Sequence, residues 1–209
     1  MAELDFLSPT NVRSDSRFQP TGKSPMHRRL QEAGAEFEER NGWLVAVRVP
    51  GEEHRALGIR DVTHAYAVYE GEDGGWLDVP EGHVHQVPSG HTFIAVPSAR
   101  GAAIPEDFLD MTAAYAALEI AGAGAETVMC RLTALDLTDL PAVGPVAHVR
   151  AFVFRAGAES FLVFFPQEYG HYLWEVAVDA AEPLSGGPRG FAASRETSKE
   201  EKAGEGSGE

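Results

Sequence analysis

Four groups of side chains have residue types and spacing that invite a chemical reading. The first is the turn in EIAGAGAETVM, Glu119 to Met129. A phosphate-binding loop needs glycines between a strand and a helix, so that backbone N–H groups can face the anion. Gly122 and Gly124 fit the first two positions of G-x-G-x-x-G, but Thr127 stands at the third, and no Lys-Ser or Lys-Thr pair follows. Glu126 would place a negative charge in the first helical turn, which suits the helix dipole and repels phosphate. The stretch reads as a strand-to-helix turn. The second group is His83, His85 and His91 in EGHVHQVPSGH. In a strand His83 and His85 would point to one side, one way to hold a metal. The surrounding Pro and Gly argue against a regular strand, and no carboxylate lies at a familiar metal spacing, so these read as loop histidines. The third is Cys130, whose neighbours Val128, Met129 and Leu132 suggest a small buried hydrophobe rather than a nucleophile. The fourth is an aromatic stripe, Tyr169, Tyr172 and Trp174, mostly core, with Trp174 off the main stripe as a candidate partner surface. No G-x-S-x-G, S-x-x-K or H-E-x-x-H occurs. Motif spacing alone yields no active site and no metal ligand set.

The bulk composition narrows the classes. At 209 residues and 44% hydrophobic content, the chain suits one domain with a real core. The net charge of -15 and the lack of a basic stripe argue against nucleic acid as a partner. A single cysteine excludes an internal disulfide and fits a reducing compartment. The N-terminus shows no basic segment followed by an apolar one, and no apolar run approaches the ~20 residues of a membrane span. A cytoplasmic protein with no membrane partner is expected.

Along the chain, residues 1–22 read as a loose arm. SPMHRRLQEAGAEFEER opens with Ser24 as N-cap and Pro25 at the first helical position, and Met26, Leu30, Ala33 and Phe37 recur at helical spacing. Residues 43–49 read as a strand, 51–58 as a short helix, 62–69 as a strand, and 91–97 as another. Turn residues dominate between Glu70 and Gly90. A strand over 113–122, a helix over 123–135, a hairpin of 147–155 with 160–166, and a helix over 167–181 follow. Residues 182–209 are rich in Gly, Ser, Glu and Lys and read as a flexible acidic tail.

Two stretches repeat with an offset of 49 residues. DVTHAYAVYE and DMTAAYAALE share Asp61/Asp110, Thr63/Thr112, Tyr66/Tyr115 and Glu70/Glu119, with two alanines besides. Either this is chance between two Ala-rich strands, or a duplicated unit feeds one strand per copy into a shared sheet.

SPMHRRLQEAGAEFEERNGWLVAV and EHRALGIRDVTH resemble the start of the glycine-cleavage T-protein (aminomethyltransferase) family. Ser24, Pro25, His27, Gly34, Ala35, Gly42, Trp43, Glu53, His54, Asp61, Val62, Thr63 and His64 match that opening, and DMTAAYAALEIAGAGAETVM is similar to the family's later D-L-[ST] strand, glycine turn and helix. The resemblance covers about residues 24–181. It implies an α+β, T-protein-like folate-binding domain over 23–181, with βαββαβ (ferredoxin-like) units, and no C-terminal barrel.

The departures are as informative. Where the family's R-x-x-Y-T-G-E-x-G-x-E signature carries folate-holding glutamates, this sequence reads RAGAESFLVF. Arg155, Gly157 and Glu159 are then the candidate folate contacts, with Ala158 and Leu162 at the glutamate places and Glu159 available only by a register shift. Asp107 is a loose candidate for the family's catalytic aspartate, and PRGFAASRET resembles its P-x-G-L-G-A-R-D-T segment. These departures, and DMTAAYAALEIAGAGAETVMCRLTALDL with FPQEYGHYLWEVAVDAA, are similar to the small gamma subunit of heterotetrameric sarcosine oxidase. The resemblance implies a non-catalytic accessory subunit with no cofactor of its own and larger flavoprotein subunits as partners. The alternatives are a stand-alone protein that binds tetrahydrofolate and a degenerate aminomethyltransferase.

Overall fold

The computed structural model describes residues 21–72, 79, 82–87, 90–98, 104 and 106–191. Most of the expected N-terminal arm, and the expected tail from 192 onward, lie outside the described residues.

The chain begins with β1 (Gly22–Lys23), α1 (His27–Glu32), β2 (Glu36–Arg40) and β3 (Trp43–Arg48), which form a small sheet in the order β1-β3-β2. The helix expected to run on to Phe37 stops at Glu32. Gly34 takes a left-handed backbone (φ 78°), and EFEER then pairs antiparallel with WLVAVR. Phe37 meets the helical spacing, but a strand partner a few residues on wins over local periodicity. Residues 51–58, expected as a helix, hold only a single 3-10 turn at Glu52–His54 before β4 (Leu57–Asp61).

The strand expected from 62 begins with a 3-10 turn at Thr63–Ala65 and continues as β5 (Tyr66–Glu72). Then come β6 (His83–Gln86), β7 (His91–Pro97), β8 (Leu109–Asp110), a second 3-10 turn at Thr112–Ala114 and β9 (Tyr115–Gly122). The second half continues with α2 (Ala125–Leu132), β10 (Ala142–Val146), β11 (Val149–Gly157), β12 (Ser160–Pro166), α3 (Gly170–Ala181) and β13 (Gly187–Pro188). The larger sheet has the order β10-β11-β12-β9-β4-β13, and the third sheet β6-β7-β5-β8. Among the described residues these mixed sheets and few helices make an α+β fold, with no closed barrel, as expected. No helix there is long and apolar enough to cross a membrane.

Strand alternation sorts the core into layers. One face of the six-stranded sheet (Ile59, Leu118, Ile120, Phe161, Val163, Phe165) packs under α2 and α3 with Val128, Met129, Leu173 and Trp174. The other face (Ala117, Phe152, Phe154, Leu162, Phe164) packs on Val68, Phe93 and Ala95 of the four-stranded sheet. Residues 182–191, placed in the flexible tail by composition, are part of this body. β13 pairs parallel with β4, Phe191 N–H donates to Ala46 O (2.9 Å), and Gly190 lies so close to the Val47 carbonyl that a side chain would collide with it.

The repeat is structural, but its two long strands, β5 and β9, lie in different sheets. The first crosses from β4 in the six-stranded sheet to β5 in the four-stranded one, and the second from β8 back to β9. The crossings clasp each other. Val62 N–H donates to Ala117 O (3.0 Å), and Met111 N–H to Val68 O (2.8 Å). In return, Ala117 N–H donates to Thr63 Oγ1 (3.1 Å), and Val68 N–H to Thr112 Oγ1 (2.9 Å). The offset of 49 carries 62, 63 and 68 onto 111, 112 and 117, so the four bonds form one two-fold arrangement. Asp61 and Asp110 each accept from the N–H of the threonine two residues on (3.0 and 2.9 Å) and shape the turn. Ser24 Oγ donates to Asp61 and accepts from Met26 N–H (3.2 Å), anchoring the start of the first helix to the first crossing.

Thr63→Val and Thr112→Val each remove one buried acceptor and strand the partner strand's N–H. Each is expected to lower the unfolding free energy by about 1–3 kcal/mol in urea melts. Equal losses from the two sites are the signature of the two-fold clasp.

Candidate functional site

The glycine turn that opened the chemical reading is spoken for. Gly122 (φ 107°) and Gly124 (φ 93°) take backbone conformations that favour glycine, and a side chain on Gly122 would strike the Ala56 carbonyl. The Gly122 N–H donates to Glu159 O (2.8 Å) and the Ala123 N–H to Ala56 O (3.2 Å). Those donors hold protein carbonyls, and the strand-to-helix reading stands.

The three candidate folate contacts lie together at the β11–β12 turn, against that same glycine turn. Arg155 donates to Leu137 O (2.8 Å) and Ala158 O (3.2 Å), lies 4.6 Å over the Phe161 ring, and is 3.7 Å from Glu126. Gly157 pairs with Ser160, and Glu159 is exposed. Arg155 thus works on the helix-covered side of the sheet, away from the layer between the sheets. Asp107 is on an exposed turn. Cys130, expected to be buried, is exposed, because the face of α2 that carries it turns outward from Val128 and Met129.

The polar groups that do converge lie between the two larger sheets. The expected loop histidines are all strand residues: His83 and His85 occupy β6 and face the aromatic side of the six-stranded sheet, and His91 opens β7. His83 stands 5.2 Å from the Phe154 ring and 5.7 Å from the Tyr66 ring, and His85 6.0 Å from Phe152. Burial lowers the pKa of both histidines, so they favour the neutral imidazole. Phe93 stacks on Phe152 at 4.0 Å in the middle. Among the described residues no three His, Cys, Asp or Glu side chains approach closely enough to hold a metal ion.

At each end of this aromatic layer is a tyrosine from one repeat copy with a glutamate from the other. At one end, Tyr115 OH donates to Glu70 Oε1 (2.5 Å), and His91 Nε2 lies 3.6 Å from the same carboxylate. Burial and this carboxylate push the Tyr115 phenol upward. At the other end, Tyr66 packs on Phe164 at 5.2 Å, and burial, with the Glu119 charge, pushes its phenol up to about 12. Glu119 is itself bound: Arg60 Nη1 pairs with one oxygen and Ser160 Oγ donates to the other (3.0 Å). Arg60 Nε donates to Gly190 O (3.1 Å), so the P-R-G segment closes the edge of this cluster. His64 lies beside it, edge-on to Phe191 at 4.7 Å.

The rings of this layer are buried against one another, with Phe93, Phe152 and Phe164 packed as core, and its polar edges are poorly suited to acid–base chemistry. The phenols resist ionisation, and both oxygens of Glu119 already have partners. The sequence reading missed Arg60, Tyr66, Glu119 and Ser160 as a group. The signal available was the repeat, which places a Tyr and a Glu at matching positions in each copy.

No family model and no curated protein matches the sequence. Solved structures do match the fold. One is a chain of the heterotetrameric sarcosine oxidase from Corynebacterium sp. U-96, solved with pyrrole 2-carboxylate: TM-score 0.54, 17% identity, 78% of this chain and 95% of that chain covered. Another is the glycine cleavage system aminomethyltransferase T from Bartonella henselae: TM-score 0.59, 15% identity, 82% of this chain covered. This chain spans 60% of the length of that aminomethyltransferase. The chain therefore has the T-protein-like fold expected from its motifs.

Two outcomes are expected from the cluster. Arg60→Met strands the half-buried Glu119 carboxylate and lowers stability by about 3 kcal/mol, whereas Arg60→Met with Glu119→Leu recovers most of the loss; urea melts of the single and double variants check this. His64, pushed down from 6.5 to about 4 by burial and then by the Arg40 charge, contributes stability while it is neutral. That contribution is complete above pH 6.5 and is lost as the pH falls toward 4, by up to about 3 kcal/mol. His64→Gln should flatten that slope in melts taken across this range.

Proposed function

We propose that this chain is a non-catalytic accessory subunit of a sarcosine-oxidase-like, amine-oxidising or one-carbon complex, with larger flavin-bearing subunits as its partners. The observation that carries the reading is the match in extent. The chain covers 95% of one chain of a heterotetrameric oxidase, against 60% of a glycine cleavage system aminomethyltransferase. The local chemistry agrees with it. Arg155 is spent on carbonyls, Glu119 is neutralised by Arg60, and Asp107 stands on an exposed turn, so the reacting groups belong to the partner. A cytoplasmic location, matching the single cysteine, goes with this reading.

A second reading, a stand-alone binder of tetrahydrofolate, has one specific observation in its favour. Tyr66 and His83 are part-exposed rings on the side of the Glu119 carboxylate, the kind of setting a flat heterocycle with an amino edge would approach. Arg60 and Ser160 would have to yield that carboxylate.

The test is gentle purification of the tagged chain from its native host, followed by mass spectrometry and absorbance. The accessory reading expects a large flavoprotein at fixed stoichiometry. A chain that elutes alone, with tryptophan fluorescence that responds to tetrahydrofolate, replaces it with the second reading.

A further inference from the structure

Of the buried polar side chains, Ser24, Thr63 and Thr112 serve the two crossings. Glu52 and Arg60 serve a single peptide unit instead. Glu52 Oε2 accepts from the Gly190 N–H (2.5 Å), and Arg60 Nε donates to the Gly190 carbonyl (3.1 Å). Arg60 then reaches Glu119 through Nη1. The Gly190 peptide thus stands between a buried carboxylate and the guanidinium that neutralises Glu119.

The segment that carries this peptide, 187–191, is seated mainly by polar groups. β13 holds two residues at the edge of the six-stranded sheet, and Pro188 has no N–H to give it. Arg189 N–H donates to Ile59 O and Phe191 N–H to Ala46 O (both 2.9 Å). Arg55 donates to Pro188 O, and Arg189 Nη2 donates in return to Arg55 O (2.7 Å). Phe191, half-buried and edge-on to His64, is the one large apolar side chain of the segment. The chain enters it through Ser185, which takes left-handed backbone (φ 58°), and then Gly186. A segment with so few buried apolar contacts opens at a fraction of the global unfolding free energy.

The seated state also holds opposing terms. Three guanidinium groups, Arg55, Arg60 and Arg189, gather about two carboxylates, Glu52 and Glu119. Arg189 Nε is buried and has no hydrogen-bond partner among the described residues. Burial, and then the Arg60 charge, hold the Arg189 pKa below the usual guanidinium range. Lifting the segment hydrates Arg189 and relieves this crowding. It also takes away the acceptor of Arg60 Nε and admits water to the Arg60–Glu119 pair, and an ion pair exposed to water is weak. We propose that residues 187–191 are an autoinhibitory strap: seated, the Gly190 peptide locks Arg60 on Glu119, and lifted, it leaves that carboxylate open to a flat, amino-edged ligand. Glu52 is the positioning residue that keeps the strap down. For its ligand the inference rests on the tetrahydrofolate-binding reading, and for the lock on this chain's own contacts.

Hydrogen exchange followed by nuclear magnetic resonance on the full chain tests the lock. The reporters are the Arg60 Nε–H and the amides of Arg189 and Phe191, while the Val68 and Ala117 amides report whether the crossings stay intact. Glu52→Leu removes the acceptor of the Gly190 N–H. It is expected to speed exchange at all three strap reporters by at least about thirtyfold and to leave Val68 and Ala117 unchanged. Glu52→Gln keeps an acceptor and restores protection. In a tetrahydrofolate titration read by tryptophan fluorescence, Glu52→Leu is expected to bind at least about tenfold more tightly than the unaltered chain, and Glu52→Gln no more tightly. Phe191→Ala loosens the strap without touching a buried charge; it acts in the same direction and serves where Glu52→Leu does not fold. An Arg60 Nε–H that stays protected after the Arg189 and Phe191 amides have opened overturns the strap. So does an opened variant that binds tetrahydrofolate only as tightly as the unaltered chain. If no variant binds tetrahydrofolate, the binding reading falls, and exchange at the Arg60 Nε–H still upholds or overturns the lock of Gly190 on Arg60.

Discussion

The structure depends on one reciprocal clasp. Two threonine hydroxyls, Thr63 and Thr112, each accept a buried N–H from the strand that belongs to the other repeat copy. Because each copy passes from one sheet to the other, neither sheet is complete without both copies. A lost bond would leave a buried donor unpaired in a packed interior, and that asymmetry gives a few hydrogen bonds control over the topology. The Asp that precedes each threonine fixes the turn, and Ser24 ties the N-terminal helix to the first crossing.

The clasp also explains the polar cluster. It sets the two copies so that the tyrosine of each lies beside the glutamate of the other, one pair at each end of a layer of phenylalanines. The copies have diverged at this point. Arg60 and Ser160 take the Glu119 end, while His91 joins Glu70. One end became a neutralised ion pair locked by the P-R-G segment. The other kept a tyrosine–carboxylate bond. At neither end does a phenol ionise readily.

Much of the fold was legible in the sequence. The strand at 91–97, the strand to Gly122, the hairpin of β11 and β12 and the last helix follow from β-branched or aromatic runs and from a clean helical stripe. The glycine turn was legible from its missing third glycine and from Glu126. The first helix was over-read because Phe37 falls at helical spacing, while only the pairing with Trp43–Arg48 decides that Glu36–Arg40 is a strand. Residues 51–58 misled for the same reason, since Leu57–Asp61 is held by a strand more than fifty residues on. The repeat was visible, but its geometry was not: equal spacing cannot say whether two strands share a sheet or exchange between two. Arg60 with Glu119 was invisible because ion pairs formed by crossing strands leave no local pattern.

The central claim is that the two crossings form a single cooperative lock that holds both sheets and, through them, the outer helices in place. Amide hydrogen exchange at Val68 and Ala117 tests it most directly, since these two N–H groups are the donors to Thr112 and Thr63. The account predicts that both exchange only through global unfolding, with the same opening free energy as the core amides of β12. Exchange at one of them through a low-energy local opening, while the other stays protected, would contradict it.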